Sequence, residues 1–162
     1  MKRVKLTARL KTLADFIENG ASVADIGSNH GYLAVYLAQN NTMNRIIATD
    51  ISTASLDAAR RTALEYNMSE AIIFHTASGL DGISPDDIDT IIAAGLGGET
   101  ILSILDNAPW TKTPGKRLIL QPQSKYDVLF RFLYDKGYDI KTVKYVWDKK
   151  KRYIVVHAEG IN

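Results

Sequence analysis

The segment from Val23 to Leu33 constrains the fold of this chain more than any other segment. An apolar run ends there in an acidic residue, passes through a turn that contains Gly27 and Gly31, and opens into a helical pattern. This order is typical of the first strand of an α/β sheet that binds a nucleotide-like ligand, because the turn brings a helix N-terminus to the ligand. A second apolar run, Arg45–Thr49, ends in Asp50. We expect Asp50 at the tip of the second strand, where a carboxylate accepts hydrogen bonds from ribose hydroxyls.

The turn distinguishes between two kinds of ligand. A dinucleotide site requires the spacing G-x-G-x-x-G, so that the backbone can approach a pyrophosphate, and Gly27 and Gly31 do not provide it. Asp25, just before the turn, would repel a pyrophosphate but would suit an ammonium group. S-adenosylmethionine carries an ammonium, a sulfonium and a ribose diol but no phosphate. Asp25 and Asp50 therefore favour S-adenosylmethionine over NAD as the cofactor.

Length and composition limit the class of protein. A chain of 162 residues with 46% hydrophobic and 23% charged residues is typical of one soluble domain, here predicted to span residues 1–162. No apolar stretch approaches the roughly 20 residues that span a bilayer, and no secretory signal is visible, so we expect no membrane association. Cysteine is absent, which excludes disulfides and fits a cytoplasmic location. The spacing of the acidic residues matches no metal-binding loop, and we expect no metal.

Apolar periodicity predicts strands that alternate with helices. Predicted helices cover residues 6–17, 32–39, 53–66, 100–105 and 124–136, the first of them ended by Asn19-Gly20; predicted strands cover 21–26, 45–50, 71–75, 88–93, 116–121, 138–146 and 153–158. The last two strands form an antiparallel hairpin around a basic turn. We therefore predict the α/β Rossmann-like fold of class I methyltransferases, a mostly parallel sheet with helices on both faces and a C-terminal antiparallel hairpin.

Two further turns follow predicted strands at the edge where such sheets bind ligands. In a methyltransferase, the turn with Ser78, Gly79 and Leu80 would hold the adenine; alternatively it is a plain glycine turn. The loop that begins at Ala94 and Gly95 holds three glycines in four residues, which let the backbone approach a ligand and leave N–H groups free for it.

Polar and basic side chains elsewhere have two interpretations each. Gln121 and Gln123 at the tip of the fifth strand either read a base edge or cap the next helix. Arg9 either contacts phosphate or is merely solvated. The basic turn Lys149–Arg152, with aromatic residues nearby, either holds nucleic acid or keeps a sheet edge soluble.

The chain resembles the bacterial tRNA (adenine-22-N1)-methyltransferases. The resemblance runs from about Leu6 to Ala158 and rests on the segments Leu6–Leu10, Ala24–Leu33, Ala94–Gly98 and Arg117–Pro122. It implies S-adenosylmethionine as methyl donor, a Rossmann-like fold and tRNA as substrate.

The chain departs from that family's pattern at several positions. Asn29 stands where the family usually has Asp, Ala34 where it has Pro, Ser78 where it has an acidic residue, and Gln123 where it has Asn. Family members also continue into a helical C-terminal domain that helps to hold tRNA, whereas this chain stops at Asn162.

We assign candidate roles to the residues of the first turn. Tyr32 stacks on or orients the target base, His30 hydrogen-bonds the base or the donor, and Asn29 touches the donor or fixes the turn; packing alone remains the alternative for His30 and Tyr32. The predicted cofactor-binding residues are Asp25, Gly27, Ser28, Asn29, Asp50, Ile51, Ser78, Gly79, Leu80, Ala94 and Gly95. Adenine N1 carries an in-plane lone pair, so its methylation requires base extrusion and alignment and no prior deprotonation. Methylation of another, small substrate and a non-catalytic S-adenosylmethionine-binding module are the alternative functions.

Overall fold

The computed structural model describes residues 2–161. Its helices are α1 (Ala8–Asp15), α2 (Tyr32–Asn40), α3 (Thr53–Glu65), α4 (Gly98–Asp106) and α5 (Tyr126–Asp135). Its strands are β1 (Ser22–Ile26), β2 (Arg45–Asp50), β3 (Ile73–Thr76), β4 (Thr90–Leu96), β5 (Arg117–Pro122), β6 (Asp139–Asp148) and β7 (Lys151–Glu159). Short 3₁₀ turns occupy Ser69–Ala71, Pro85–Asp87 and Pro109–Lys112. None of the helices within residues 2–161 has the length and apolar character that crossing a membrane requires.

The seven strands form one sheet in the order β3-β2-β1-β4-β5-β7-β6. Strands β1 to β5 pair in parallel, and β7 inserts antiparallel between β5 and β6. The chain order reverses between β1 and β4, which places the ligand crevice of such a sheet above the carboxyl ends of these two strands. The predicted α/β Rossmann-like sheet, including its antiparallel ending, is confirmed.

Apolar layers cover both faces of the sheet. One layer packs α4 and α5 against it through residues such as Ile101, Leu105 and Leu129. The other packs α1 and α2 through residues such as Leu13 and Leu37. Because central parallel strands are covered on both sides, β1 is buried along its whole length, including Asp25.

The first helix ends earlier than the sequence predicted. α1 stops at Asp15 with Phe16 as its C-cap, so Asn19-Gly20 does not end it. Gly20 instead forms the turn into β1, with φ of 83° and its N–H donating to the Thr42 carbonyl at 2.6 Å. The periodicity continued to Ile17 because Phe16 and Ile17 still pack on the core after the helical hydrogen bonds have ended.

The glycine-rich segment after β4 is also shorter than predicted. β4 runs to Leu96 through a bulge at Gly95 (φ 72°), and α4 begins at Gly98, which leaves Gly97 alone between them. The N–H of Gly98 donates to the Ser124 carbonyl at 2.8 Å, and a Cβ at this position would lie 2.6 Å from that oxygen. This glycine is therefore required by the protein's own backbone, and its N–H is not free for a ligand.

Candidate active site

The turn from β1 into α2 places its polar groups by means of three left-handed residues. Gly27, Asn29 and Gly31 have φ of 67°, 55° and 77°, and asparagine is one of the few non-glycine residues that adopt this region readily. The N–H of Ser28 donates to the Thr49 carbonyl at 2.9 Å, which ties the turn to β2. Asn29 is therefore compatible with the left-handed backbone conformation that this turn requires at its position.

Asp50 lies at the tip of β2 and is 9% exposed. Its Oδ2 accepts from the Asn29 N–H at 3.2 Å, and its Oδ1 accepts from the Ser52 N–H at 3.0 Å. Charge-assisted bonds of this kind fix the carboxylate in one orientation. The acidic group at the end of β2 is thus held rigidly against the first turn.

A cavity of about 520 Å³ opens beside Asp50 at the carboxyl ends of β1, β2, β3 and β4. We call it the larger cavity. Of the predicted cofactor-binding residues, it is lined by Gly27, Asn29, Asp50, Ile51, Ser78, Gly79 and Gly95. Among residues 2–161, no lysine or arginine lines it, whereas Asp50 and Glu99 do. A lining that is acidic and free of basic side chains suits a cationic ligand without phosphate and disfavours a dinucleotide.

A second cavity, of about 220 Å³, lies on the other side of the same turn; we call it the smaller cavity. Its predicted residues are Asp25, Gly27, Ser28, Asn29, His30, Tyr32, Ala94 and Gly95. The two cavities share Gly27, Asn29 and Gly95, so they meet at the first turn and the β4 bulge. Two ligands placed in them would touch at this border.

One predicted residue lines neither cavity. Leu80 is 6% exposed and packs in the apolar layer beneath α4. Its side chain therefore belongs to the core, and the prediction that it contacts the cofactor finds no support in its position.

Within residues 2–161, eight residues that line the larger cavity were absent from the predicted set, and three of them are polar residues of α4. Glu99, Thr100 and Ser103 of α4 face it, on the side of the helix opposite the buried Ile101 and Leu105. Their helical spacing was a usable signal, because the apolar stripe of α4 leaves this polar face for the cavity.

The first turn also holds an unsatisfied polar atom. Within residues 2–161, Ser28 Oγ is one of three buried side-chain atoms without a hydrogen-bond partner, and it lines the smaller cavity close to Asp25. A buried hydroxyl without a partner costs free energy unless a ligand supplies one. Ser28 and Asp25 together therefore fit a polar, cationic portion of a ligand. Within residues 2–161, no cluster of three or more His, Asp or Glu side chains is placed to hold a metal ion.

His30 and Tyr32 lie at the rim of the smaller cavity. Their ring centroids are 6.0 Å apart with the planes tilted by 37°, and Tyr32 is 43% exposed. A core packing role for Tyr32 does not fit this exposure. Both rings are accessible to a planar partner entering from solvent.

Gln121 is not available to read a base, contrary to one interpretation of the sequence. It is fully buried, and its Oε1 accepts from Arg9 Nη1 at 2.8 Å and from the Gly95 N–H at 3.1 Å. It does not cap the next helix either, because Lys125 is the N-cap of α5. Arg9 is correspondingly not merely solvated: it is anchored to Gln121 and lines the smaller cavity. Gln123, exposed and on the same cavity, keeps its amide free of this network.

Burial raises the pKa of the Asp25 carboxyl to about 7, and the nearby Asp50 carboxylate acts in the same direction. The unfolded chain has the ordinary value of 3.8, so between about pH 4 and pH 7 the folded protein binds the extra proton. The free energy of unfolding must then fall as pH rises through this window, by at most about 1.4 kcal/mol per pH unit.

We expect Asp25→Asn to remove this pH dependence. The variant should match the wild type near pH 4 and exceed its free energy of unfolding above pH 7, measured by urea denaturation across pH 4–8. Asp57→Asn, which neutralises an exposed carboxylate on α3, is the control and should leave the slope unchanged. An unaltered slope in Asp25→Asn would show that this carboxyl does not carry the extra proton.

A Rossmann-like sheet with an antiparallel seventh strand, a held carboxylate at the tip of β2 and an acidic cavity at the switch point are typical of the class I methyltransferases that use S-adenosylmethionine. In agreement, residues 6–156 match the family described as "Methyltransferase domain". The tRNA (adenine(22)-N(1))-methyltransferase of Bacillus subtilis is 34% identical over 160 residues, which are 99% of this chain and 67% of that protein. The chain belongs to the family of tRNA (adenine(22)-N(1))-methyltransferases.

Solved structures agree with this assignment. The crystal structure of the B. subtilis M1A22 tRNA methyltransferase TrmK superposes with a TM-score of 0.91 at 34% identity, covering 98% of this chain and 68% of that one. Streptococcus pneumoniae Sp1610 in complex with S-adenosyl-L-methionine also gives 0.91, at 28% identity over 98% of this chain and 74% of that one. The predicted family and cofactor are confirmed.

Proposed function

We propose that this protein transfers a methyl group from S-adenosylmethionine to N1 of an adenine in tRNA. The observation that carries the proposal is the pair of cavities that meet at Gly27, Asn29 and Gly95. A methyl transfer requires donor and acceptor in contact and in line, and two adjoining sites on one rigid turn supply that arrangement. The relationship to the B. subtilis enzyme supports the choice of tRNA and of the adenine ring nitrogen.

The larger cavity is suited to the adenosine half of the donor. Asp50, fixed by the N–H groups of Asn29 and Ser52, accepts from the ribose hydroxyls. Ile51, 75% exposed at the cavity rim, provides an apolar surface for the adenine ring, and Ser78 lines the same cavity with a hydroxyl that can hydrogen-bond the ligand. The volume of about 520 Å³ is that of an ordinary small-molecule site.

The first turn receives the methionine half. Asp25 attracts the ammonium group, and Ser28 Oγ gains the partner that it lacks in the protein alone. When bound, S-adenosylmethionine supplies a methyl group on a positively charged sulfur. Gly27 and Gly95, at the border of the cavities, leave room for the donor to extend from the larger cavity into the smaller one.

Methyl transfer also requires that residues of this chain orient the acceptor adenine. The bond from N1 to the methyl carbon forms as the carbon–sulfur bond breaks, its electron pair returns to sulfur, and the positive charge moves to the adenine. No proton has to leave N1 beforehand, so no general base is needed. His30 and Tyr32, exposed at the rim, hold and stack on the extruded base, and Asn29 lines both cavities where they meet.

The direct test is methyl transfer from labelled S-adenosylmethionine to an unmodified bacterial tRNA transcript, with digestion and mass spectrometry of the nucleosides. We expect 1-methyladenosine as the product. A transcript with guanine in place of the adenine at position 22, the position named for the B. subtilis relative, is the control and should remain unlabelled. Intact donor binding with no label in RNA would contradict the substrate and leave methylation of a different acceptor.

A further inference from the structure

The hairpin of β6 and β7 projects beyond the sheet at the edge that carries both cavities. β7 pairs with β5 only from Val156 to Glu159, whereas its pairing with β6 continues to Lys151, five residues further (156 − 151 = 5). At about 3.4 Å per residue this places the hairpin tip roughly 17 Å past the last β5 pair. The carboxyl end of β5 lies at the ligand-binding edge of the sheet. The hairpin tip therefore extends on the side from which a substrate must approach.

Arg9 connects this tip to the smaller cavity. Its backbone N–H donates to the Asp148 carboxylate at 3.2 Å, and its guanidinium lies over the Tyr153 ring, 5.6 Å from the centroid. The Lys151 ammonium is 5.3 Å from the centroid of the same ring. Because Arg9 also lines the smaller cavity, cavity and hairpin form one continuous surface.

The tip carries a run of cations that the protein does not neutralise. Lys149 to Arg152 are all exposed, and within residues 2–161 none of them forms an ion pair with a carboxylate. Asp148 is turned toward the Arg9 backbone instead. Such a surface is complementary to a polyanion.

The turn itself is not optimised for folding. β6 and β7 are joined by two residues, Lys149 and Lys150, with φ of 50° and 67°, a geometry for which Asn-Gly is the preferred pair. Two lysines in this position indicate that the charge is retained at the expense of turn stability. Exposed rings flank it: Tyr145 and Trp147 are 56% and 66% exposed, and Arg152 lies 4.6 Å from the Tyr145 centroid.

We infer that the hairpin tip, Lys149–Arg152, together with Arg9, is an RNA-binding ledge that holds the phosphates next to the target adenine. The inference rests on the proposed function, which supplies the RNA. Lysines neutralise phosphates, and Trp147 and Tyr145 provide faces on which an unstacked base can lie. The ledge thereby orients the strand so that the target base reaches His30 and Tyr32.

The test uses a variant that removes charge while improving the turn. Lys149→Asn with Lys150→Gly introduces the preferred turn pair, so we expect unchanged or higher stability. Binding to unmodified tRNA, followed by fluorescence anisotropy at several salt concentrations, should weaken about tenfold or more. The slope of log K against log salt should become shallower by about 1.4 to 1.8, because each phosphate contact contributes about 0.7 to 0.9.

The control removes the same charge elsewhere. Lys112→Gln with Lys136→Gln neutralises the ends of the 3₁₀ turn before β5 and of α5, away from the carboxyl ends of the parallel strands. This variant should bind tRNA as the wild type does, and both variants should bind S-adenosylmethionine normally by calorimetry.

Three other outcomes contradict the ledge, and a fourth contradicts only the proposed function. Equal tRNA affinity of the tip variant and the wild type shows that the tip only protects the sheet edge. Equal losses in the tip and control variants show a non-specific charge effect. A wild-type dimer by light scattering that the tip variant abolishes assigns the surface to a second copy of the chain. Tip-dependent tRNA binding without 1-methyladenosine contradicts the proposed reaction and retains the ledge.

Discussion

Replacing Asp50 with alanine is expected to weaken S-adenosylmethionine binding at least tenfold. The carboxylate is 9% exposed, faces the larger cavity and is held by the N–H groups of Asn29 and Ser52. A charge-assisted hydrogen bond to a ligand contributes about 1.5–3 kcal/mol, which corresponds to roughly a tenfold to hundredfold change in affinity. The alanine variant also leaves the Asn29 N–H without its acceptor, so the first turn loses a support. Isothermal calorimetry measures the effect.

Two comparisons make this result specific to the site. Asp57→Ala removes an exposed carboxylate of α3 that pairs with Arg60, and it should bind the donor as the wild type does. Asp50→Asn keeps the shape and one acceptor oxygen, so its affinity should fall between those of the wild type and Asp50→Ala. Normal donor affinity in a folded Asp50→Ala protein would show that the ribose does not lie at the tip of β2.

The order of strands and helices could be predicted because each element carries its own periodicity. β1 and β2 were placed within one residue at either end, and Ser52 caps α3 as expected, its Oγ accepting from the Ser55 N–H at 3.2 Å. The carboxyl ends of parallel strands share one edge, so Asp25, Asp50 and Ser78 were predictable neighbours of a single site.

The remaining features depend on contacts between segments far apart in sequence. The glycines after β4 suggested a ligand loop, but Gly98 is needed because the Ser124 carbonyl fills the space beside it. Gln121 suggested a base reader, but Arg9 from α1 and the Gly95 N–H occupy its oxygen. The polar face of α4 could be recognised as part of the site only once the buried side of that helix was known.

Replacing Gly31 with alanine is expected to cost about 2–5 kcal/mol of stability, a large part of the 5–15 kcal/mol typical of a native protein. Its φ of 77° is unfavourable for alanine by about 1–2 kcal/mol. The new Cβ would also lie 2.9 Å from Ala59 Cβ and 3.0 Å from Ala59 Cα, where α2 packs against α3. Overpacking of this kind costs a further 1–3 kcal/mol or so. Urea denaturation measures the sum.

Gly137→Ala separates the two causes. Gly137 has φ of 83°, close to that of Gly31, but a Cβ there meets nothing within 4 Å, so only the backbone cost of about 1–2 kcal/mol should appear. Adding Ala59→Gly to Gly31→Ala removes the nearer of the two contacts, and a favourable coupling energy between the substitutions is expected. Equal losses at Gly31 and Gly137 would show that α2 and α3 separate at no cost. If they separate at a cost, Gly31 sets the distance between α2 and α3, and with it the positions of Asn29 and Tyr32, which both line the smaller cavity.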